Sequence, residues 1–239
     1  MTDIYQYAPK IVLNKYKRRE DGRTLPIQIF GSSSKQGTAI YVAPVNILFD
    51  IGVNFQKVKH IQDEIDYIII SHEHSDHIDW ATLHAMLQFH PMIQVVLPAD
   101  INIPDKLTYL SAHFIRSKDM VPLHLTLRSG LKINVLPVKV PHGNASSFSY
   151  DVTFQSSHLL FSTDLSDTEP LPKLIKYDII MIETNYDEDE FLSKDGSGGA
   201  INHLSVQQAL RYALTHLSDY GKIIPLHFGP TMQNFNQLQ

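Results

Sequence analysis

The sequence contains no cysteine, which excludes disulfide bonds and thiolate metal ligands. Any bound metal must therefore be held by carboxylates and by some of the 13 histidines. Long apolar runs are also absent, since none approaches the roughly 20 residues that a membrane-spanning helix needs. The first residues lack the apolar core of a secretory signal. We therefore expect a cytoplasmic protein with no membrane partner.

An excess of positive charge is absent as well. Lys and Arg number 20 against 25 Asp and Glu, which gives a formal net charge of −5. This balance argues against a surface built to wrap duplex nucleic acid and favours a small or locally gripped substrate. Hydrophobic residues make up 43% and charged residues 19%, an ordinary globular balance. The length predicts one domain spanning 1–239.

Short β-rich runs alternate with a few helical patterns along the chain. Two strands at 11–18 and 25–30 are predicted to form an opening hairpin, followed by a polar loop that starts at Gly31. Continuous apolar residues at 67–70 indicate a fully buried strand. Further strands are predicted for the segments TAIYV, NILFD, IQVVL, LHLTL, LKINVLPVKV, FSYDVTF, HLLFS, DIIMIE and KIIPL.

Two predicted helices have clear start signals. Asp79 is expected to cap a helix that runs to about His90. A later helix is expected over about 206–217, with Ser205 in a capping box at its start and Gly221 at its end. Strands in two groups with few helices indicate an α/β fold in which two sheets pack together and the helices lie outside.

The densest group of candidate metal ligands is the segment HEHSDH at 72–77, directly after the predicted buried strand. In extended backbone, side chains two residues apart project to the same side, so His72 and His74 can bind one ion together. Asp76 and His77 point elsewhere. One short loop can therefore begin two adjacent metal sites.

Three later residues, each after a strand-like run, complete the predicted ligand set. Together with the first segment they divide between two ions. The predicted ligands are His72, His74 and His142 for one ion, Asp76, His77 and His227 for the other, and Asp164 as a bridge between both. This arrangement leaves room for a shared hydroxide. The ligand types favour two divalent cations, with Zn²⁺ first and Mn²⁺ as the alternative.

In this order, HEHSDH, His142, Asp164 and His227 resemble the metal motifs of the metallo-β-lactamase superfamily. The segments FGSSSKQGTAIYV with ILFDIG, and ETNYD followed by NHLS, resemble motifs of its phosphodiesterase branch, which contains RNase Z and small bacterial and phage exonuclease-like proteins. The resemblance covers most of the chain. It implies an αββα sandwich of two mixed sheets with helices on the outer faces and a two-zinc site. Dimers are frequent among similar proteins, so a homodimer is a further expectation.

The resemblance also suggests roles for residues outside the ligand set. His203, in NHLS, is a candidate proton donor because it lies just before a helix N-terminus, where anions are favoured; the alternative is a surface histidine beside a cap. Asp50 is predicted to orient a ligand histidine, or else is a simple turn residue. With Asp76 these form the catalytic candidates. Glu183 and Asn185 are predicted to line the pocket.

Two charged segments are each either functional or simply part of the solvated surface. Basic residues make the first predicted hairpin a candidate nucleic-acid contact, although a solvated strand face would look the same. These residues are Lys10, Lys15, Lys17, Arg18, Arg19 and Arg23. The acidic run 187–190 with the following GSGG is either a solvated loop or a lid over the substrate.

The first function hypothesis is a dinuclear zinc-dependent phosphodiesterase that cleaves nucleic acid by attack of the shared hydroxide. The runner-up is a cyclic mononucleotide phosphodiesterase, a role that includes phage proteins opposing cyclic-nucleotide immune signalling. The motifs ETNYD and NHLS favour the nuclease, whereas the acidic charge favours the cyclic-nucleotide enzyme. A glyoxalase II-like thioester hydrolase would give no reason for NHLS. A non-enzymatic binding protein would be expected to have lost ligands, and none is missing.

Overall fold

Two six-stranded sheets form the centre of the structure, a computed structural model that describes residues 27–188 and 202–229. Each sheet contains both parallel and antiparallel strand pairs. The predicted basic hairpin lies mostly outside the described residues, and so does the GSGG segment. No helix within the described ranges is long and apolar enough to cross a membrane.

The first sheet has the strand order β1-β2-β3-β4-β5-β6. Its strands are β1 (Ile27–Ser33), β2 (Gly37–Val42), β3 (Ile47–Phe49), β4 (Tyr67–Ile69), β5 (Gln94–Pro98) and β6 (Phe114–Ser117). Strands β3 to β6 run parallel, so each must be joined to the next by a crossover segment. The carboxyl ends of β3 and β4 consequently lie at the same edge of the sheet.

The second sheet has the strand order β12-β11-β10-β9-β8-β7. Its strands are β7 (Leu123–Thr126), β8 (Lys132–His142), β9 (Ala145–Phe154), β10 (Ser157–Ser162), β11 (Tyr177–Glu183) and β12 (Leu217–Leu226). Strands β10, β11 and β12 are parallel neighbours. Their carboxyl ends therefore lie at one edge of this sheet, and the chain reaches that edge at the end of each of the three strands.

The described helices are short and flank the sheets. They are α1 (Phe55–Val58), α2 (Trp80–Phe89) and α3 (Val206–His216), with 3₁₀ segments at Ala43–Val45, Lys59–Glu64 and Asp105–His113. The Asp79 carboxylate accepts hydrogen bonds from the first-turn amides of α2, as predicted. Ser205 and Gln208 form the predicted capping box at the start of α3.

Three apolar clusters hold these layers together. One lies between the sheets and includes Phe49 and Phe161. A second packs the outer face of the first sheet against α1 and α2, with Leu83 as a member, and a third packs the second sheet against α3, with Ala209 as a member. This layering confirms the predicted αββα architecture.

Two predicted boundaries were wrong. Residues from Gly31 to Ser33 continue β1 instead of forming a loop, because they pair with β2 after a register shift between Ile29 and Gly31. Gly221 does not end α3: the helix ends at His216, and β12 begins at the next residue. Gly221 lies within β12, where a Cβ atom would come within 2.7 Å of the Tyr177 carbonyl oxygen, so close approach to β11 explains the glycine.

The stacked aromatic pair at the centre of the inter-sheet core gives a first prediction. The ring centroids of Phe49 and Phe161 lie 4.6 Å apart, and both side chains are fully buried. Phe161→Ala should lower the free energy of unfolding by about 3 to 5 kcal/mol, because it leaves a cavity between the sheets. Urea denaturation monitored by circular dichroism measures the change.

The fully exposed Leu174 provides the matched control. Leu174→Ala should shift the free energy of unfolding by no more than about 0.5 kcal/mol. Equal effects of the two substitutions would contradict this description of the core.

Candidate metal centre

The structure brings all seven predicted ligands together at one edge of the sandwich. Four follow β4 in the HEHSDH loop, and the others stand at the ends of β8, β10 and β12. They are His72, His74, Asp76, His77, His142, Asp164 and His227. Residues up to 155 positions apart in the chain are therefore neighbours in space.

These side chains form two groups that share one carboxylate. In the first group the ligand atoms lie within 4.8 Å of one another, and the members are His72, His74, His142 and Asp164. The second group meets the same distance limit, and its members are Asp76, His77, Asp164 and His227. The predicted division between two ions, with Asp164 in both, matches these two groups.

The Asp164 carboxylate is the point where the groups meet. Its Oδ2 atom lies 3.3 Å from His72 Nε2 and 3.0 Å from His77 Nε2. It also lies 3.6 Å from His142 Nε2, while Oδ1 lies 3.2 Å from His227 Nδ1. The side chain is only 2% exposed. One buried carboxylate thus faces imidazoles from three different loops.

Two glycines let the HEHSDH loop lie directly on the first sheet. A Cβ atom at Gly52 would stand 1.9 Å from the Asp76 carbonyl oxygen, and one at Gly37 would stand 1.8 Å from the Gly52 carbonyl oxygen. The same Asp76 oxygen accepts a hydrogen bond of 2.6 Å from the Thr38 amide. Any larger residue at these glycines would lift the ligand loop off the sheet.

Buried ring and carboxylate atoms without partners show that the site fits metal ions. Among the described residues, the atoms His72 Nε2, His77 Nε2, Asp164 Oδ1 and His227 Nδ1 are buried and accept or donate no hydrogen bond. Buried polar atoms are rarely left in this state. Divalent cations would satisfy all of them at once, and nitrogen and oxygen donors suit zinc.

The charge states of His72, His227 and Asp164 suit a cation. Burial lowers the pKa of His72 to about 3 and that of His227 to about 4, so both rings are neutral near pH 7. Burial alone would raise the pKa of Asp164, but the surrounding histidines outweigh burial and hold it well below its usual range. Neutral imidazoles and an ionised carboxylate are the forms that bind metal. Burial would lower the pKa of His77, but Asp164 and Asp50 outweigh burial and hold that pKa well above its usual value, so this ring would give up a proton on binding a metal.

Asp50 lies behind this site, where its Oδ2 atom accepts a hydrogen bond of 2.7 Å from His77 Nδ1. It is fully buried, and this hydrogen bond gives it a contact beyond those of a turn residue. Asn202 was not predicted from the sequence, and it plays a similar part for His142: its carbonyl oxygen lies 2.9 Å from His142 Nδ1. Its position directly before His203 in NHLS was the available signal.

His203 lies beside both ligand groups, not on the open surface. Its ring centroid is 5.0 Å from that of His142 and 5.4 Å from that of His227. Its Nδ1 atom lies 2.5 Å from Glu183 Oε1. Burial would lower the pKa of His203, but the hydrogen bond to Glu183 outweighs it and raises that pKa. The alternative of a surface histidine beside a cap does not describe this position.

Glu183 and Asn185 both form hydrogen bonds with other residues of the site. Glu183 is fully buried, and its Oε2 atom accepts hydrogen bonds from the Leu165 and Leu204 amides. Burial raises its pKa to about 7. Asn185 Nδ2 donates to the His227 carbonyl oxygen at 3.2 Å. The Leu204 amide, just before the N-cap of α3, therefore contributes to holding Glu183.

A model of the β-lactamase superfamily domain matches residues 45–228. The chain belongs to the β-lactamase superfamily. This match includes the whole ligand set, and the two mixed sheets have the metallo-β-lactamase fold. The protein is thus a metallo-β-lactamase-fold member of a superfamily of metal-dependent hydrolases. No curated protein sequence matches it significantly.

Solved structures share the fold of this β-lactamase superfamily protein. The metallo-β-lactamase fold protein YhfI from Bacillus subtilis has a TM-score of 0.66 at 20% identity, over 88% of this chain and 90% of that one. The short form of human tRNase Z has a TM-score of 0.58 at 14% identity, over 87% and 93%. A diphosphatase of the PhnP family has a TM-score of 0.57 at 15% identity, over 89% and 90%.

The shared carboxylate leads to a prediction on metal content. Protein purified with zinc should hold about two ions per chain, measured by inductively coupled plasma mass spectrometry. Asp164→Ala should lose most of both ions, because Asp164 belongs to both ligand groups. His124→Ala is the matched control, since this exposed histidine contacts Asn134 and lies outside the ligand groups. Retention of both ions by Asp164→Ala would contradict the shared-ligand arrangement.

Proposed function

We propose that this protein is a phosphodiesterase that cleaves nucleic acid with two divalent cations, Zn²⁺ first and Mn²⁺ as the alternative. The observation that carries the proposal is the position of the His203–Glu183 pair beside the two ligand groups. A metal-dependent hydrolase needs a proton donor for an alkoxide leaving group, and this pair supplies one.

The ions would be held by the two groups already described, with Asp164 in both. Two such cations lower the pKa of a bound water and neutralise the charge of a phosphodiester during its cleavage. The protein must then supply orientation and a proton. These two tasks fall to side chains outside the ligand set.

His203 is the group placed to deliver the proton. Because its Nδ1 atom is engaged by Glu183, Nε2 is the ring nitrogen that can donate to a leaving oxygen. Glu183 favours the protonated ring, and its own carboxylate is fixed by the two backbone amides of Leu165 and Leu204. The pair therefore holds a proton on a ring that lies next to both ligand groups.

The nature of the solved neighbours supports phosphate chemistry over thioester hydrolysis. One neighbour is named as a tRNase and another as a diphosphatase. The net charge of −5 instead favours a small substrate, so a cyclic mononucleotide is the second candidate. The cytoplasmic location and the homodimer stay predictions.

A substrate panel tests the proposed function. Purified protein with zinc or manganese should cleave bis-p-nitrophenyl phosphate and labelled single-stranded DNA or RNA, with duplex DNA and cyclic mononucleotides compared at equal concentration. Cleavage of the cyclic compounds alone would replace nucleic acid with the second candidate. A metal-loaded protein with no activity on any phosphodiester would sink the enzymatic proposal.

Substitution of the proposed proton donor separates catalysis from metal binding. His203→Ala should keep both ions and lose roughly 100- to 10,000-fold in kcat, because the leaving group would depart without a donated proton. His84→Ala is the control, since His84 bonds to Tyr109 outside the described ligand groups. Rates of hydrolysis of labelled single-stranded RNA, whose alkoxide leaving group needs a proton, are measured together with metal content. Unchanged activity in His203→Ala would refute the assignment.

A further inference from the structure

Ser71, the residue directly before the HEHSDH loop, has a hydroxyl group at the meeting point of three site residues. Its Oγ atom lies 2.9 Å from Asp50 Oδ2, 3.0 Å from His72 Nδ1 and 3.3 Å from His77 Nδ1. The side chain is fully buried, so water does not compete for these contacts. The hydroxyl therefore links residues that belong to two different ligand groups.

The backbone fixes Ser71 from two sides. Its amide donates a hydrogen bond of 2.7 Å to Asp50 Oδ1, and its carbonyl oxygen accepts one of 3.0 Å from the Phe148 amide of β9. The neighbouring Ile70 carbonyl oxygen accepts another, of 2.6 Å, from the Tyr150 hydroxyl. The Ser71 hydroxyl is thus held in place by both sheets and has little freedom to find other partners.

Counting protons along these contacts assigns donors and acceptors. His77 Nδ1 lies 2.7 Å from Asp50 Oδ2 and must carry a hydrogen to bond to a carboxylate. The single hydroxyl hydrogen of Ser71 then also points to Asp50 Oδ2, because a protonated His77 Nδ1 cannot accept it. With its hydrogen committed, the Ser71 oxygen accepts a hydrogen from His72 Nδ1.

The opposite arrangement meets a physical objection. If Ser71 donated to His72 Nδ1, no hydrogen would lie between Ser71 Oγ and Asp50 Oδ2, and two buried oxygens would face each other at 2.9 Å. In the first arrangement, each of these contacts of Ser71, and the contact of His77 with Asp50, has one donor and one acceptor, apart from the 3.3 Å approach of Ser71 to His77. It leaves the Nε2 atoms of both histidines as the buried nitrogens without partners, and both face Asp164.

We infer that Ser71 is a positioning residue that extends the reach of Asp50 from His77 to His72, so that one buried carboxylate presents an Nε2 atom to each of the two metal ions. The inference rests on the two-ion site of the proposed function. Asp50 acts on the second ligand group directly, through His77. It acts on the first group only through the Ser71 hydroxyl and His72.

This linkage predicts an asymmetric effect on metal affinity. Ser71→Ala should weaken the binding of one zinc ion about 10- to 100-fold, because His72 Nδ1 loses its acceptor while the contact of His77 with Asp50 remains. The second zinc ion should change by less than about threefold. Asp50→Ala should weaken both ions. Ser71→Thr keeps the hydroxyl and should restore the lost affinity.

Zinc titration of the full-length, metal-free chain against a chromophoric chelator measures both binding constants without any substrate. Ser147→Ala is the matched control, since Ser147 is also fully buried on the neighbouring strand but its hydroxyl has no partner among the described residues. Equal weakening of both ions by Ser71→Ala, or no weakening, would overturn the inference. So would a chain that binds no zinc, which would remove the metal centre as well.

A second measurement needs no substitution at Ser71 and remains informative if that variant does not fold. Long-range proton–nitrogen spectra of ¹⁵N-histidine-labelled, metal-free protein report which ring nitrogen carries the hydrogen, without zinc on Nε2 to dictate the answer. His72 and His77 should both show it on Nδ1, with assignments from His72→Asn. A hydrogen on Nε2 of His72 would overturn the inference. Failure of the substrate panel alone would leave both measurements unaffected, so the two proposals fail separately.

Discussion

The structure depends on one buried carboxylate that is shared by two groups of histidines. Asp164 is 2% exposed, and imidazole nitrogens lie within 3.6 Å of its oxygens. A buried carboxylate is costly unless it is paired, so this residue is stable only where the ends of β4, β8, β10 and β12 converge. The packing of the two sheets across their apolar interface provides that convergence. The packing of the sheets therefore determines the geometry of the site.

Local backbone preference is overridden where the site is built. Six non-glycine residues of the described chain have positive φ, and three of them belong to the site: Asp50, Asp164 and His227. Each such residue costs roughly 1 to 2 kcal/mol in the left-handed region. Surrounding hydrogen bonds offset this cost, as at His227, whose amide donates to Ser32 Oγ at 2.8 Å. The strain is kept because the surrounding sheets hold these residues in place.

The layered fold and the seven candidate ligands could be predicted from the sequence because both leave local signals. Apolar runs mark the strands, and the candidate ligands directly follow those runs. Strand β6 was missed because four residues that include Arg116 show no alternation. Two supporting serines, Ser71 and Ser32, were missed for another reason. Ser71 contacts Asp50 across 21 positions, and Ser32 contacts His227 across 195, so only the folded chain shows that these common residue types are partners.

The parallel strands β10, β11 and β12 explain why the candidate metal ligands and His203 lie close together. Each strand ends at the same edge, and the residues delivered there are Asp164, Glu183 and His227 in that spatial order. Glu183 therefore lies beside the shared carboxylate, where burial and the charge of Asp164 raise its pKa to about 7. A carboxylate in this position needs a strong donor, and His203 is the side chain that supplies it. The strand order that places the ligands thus also creates the requirement for His203.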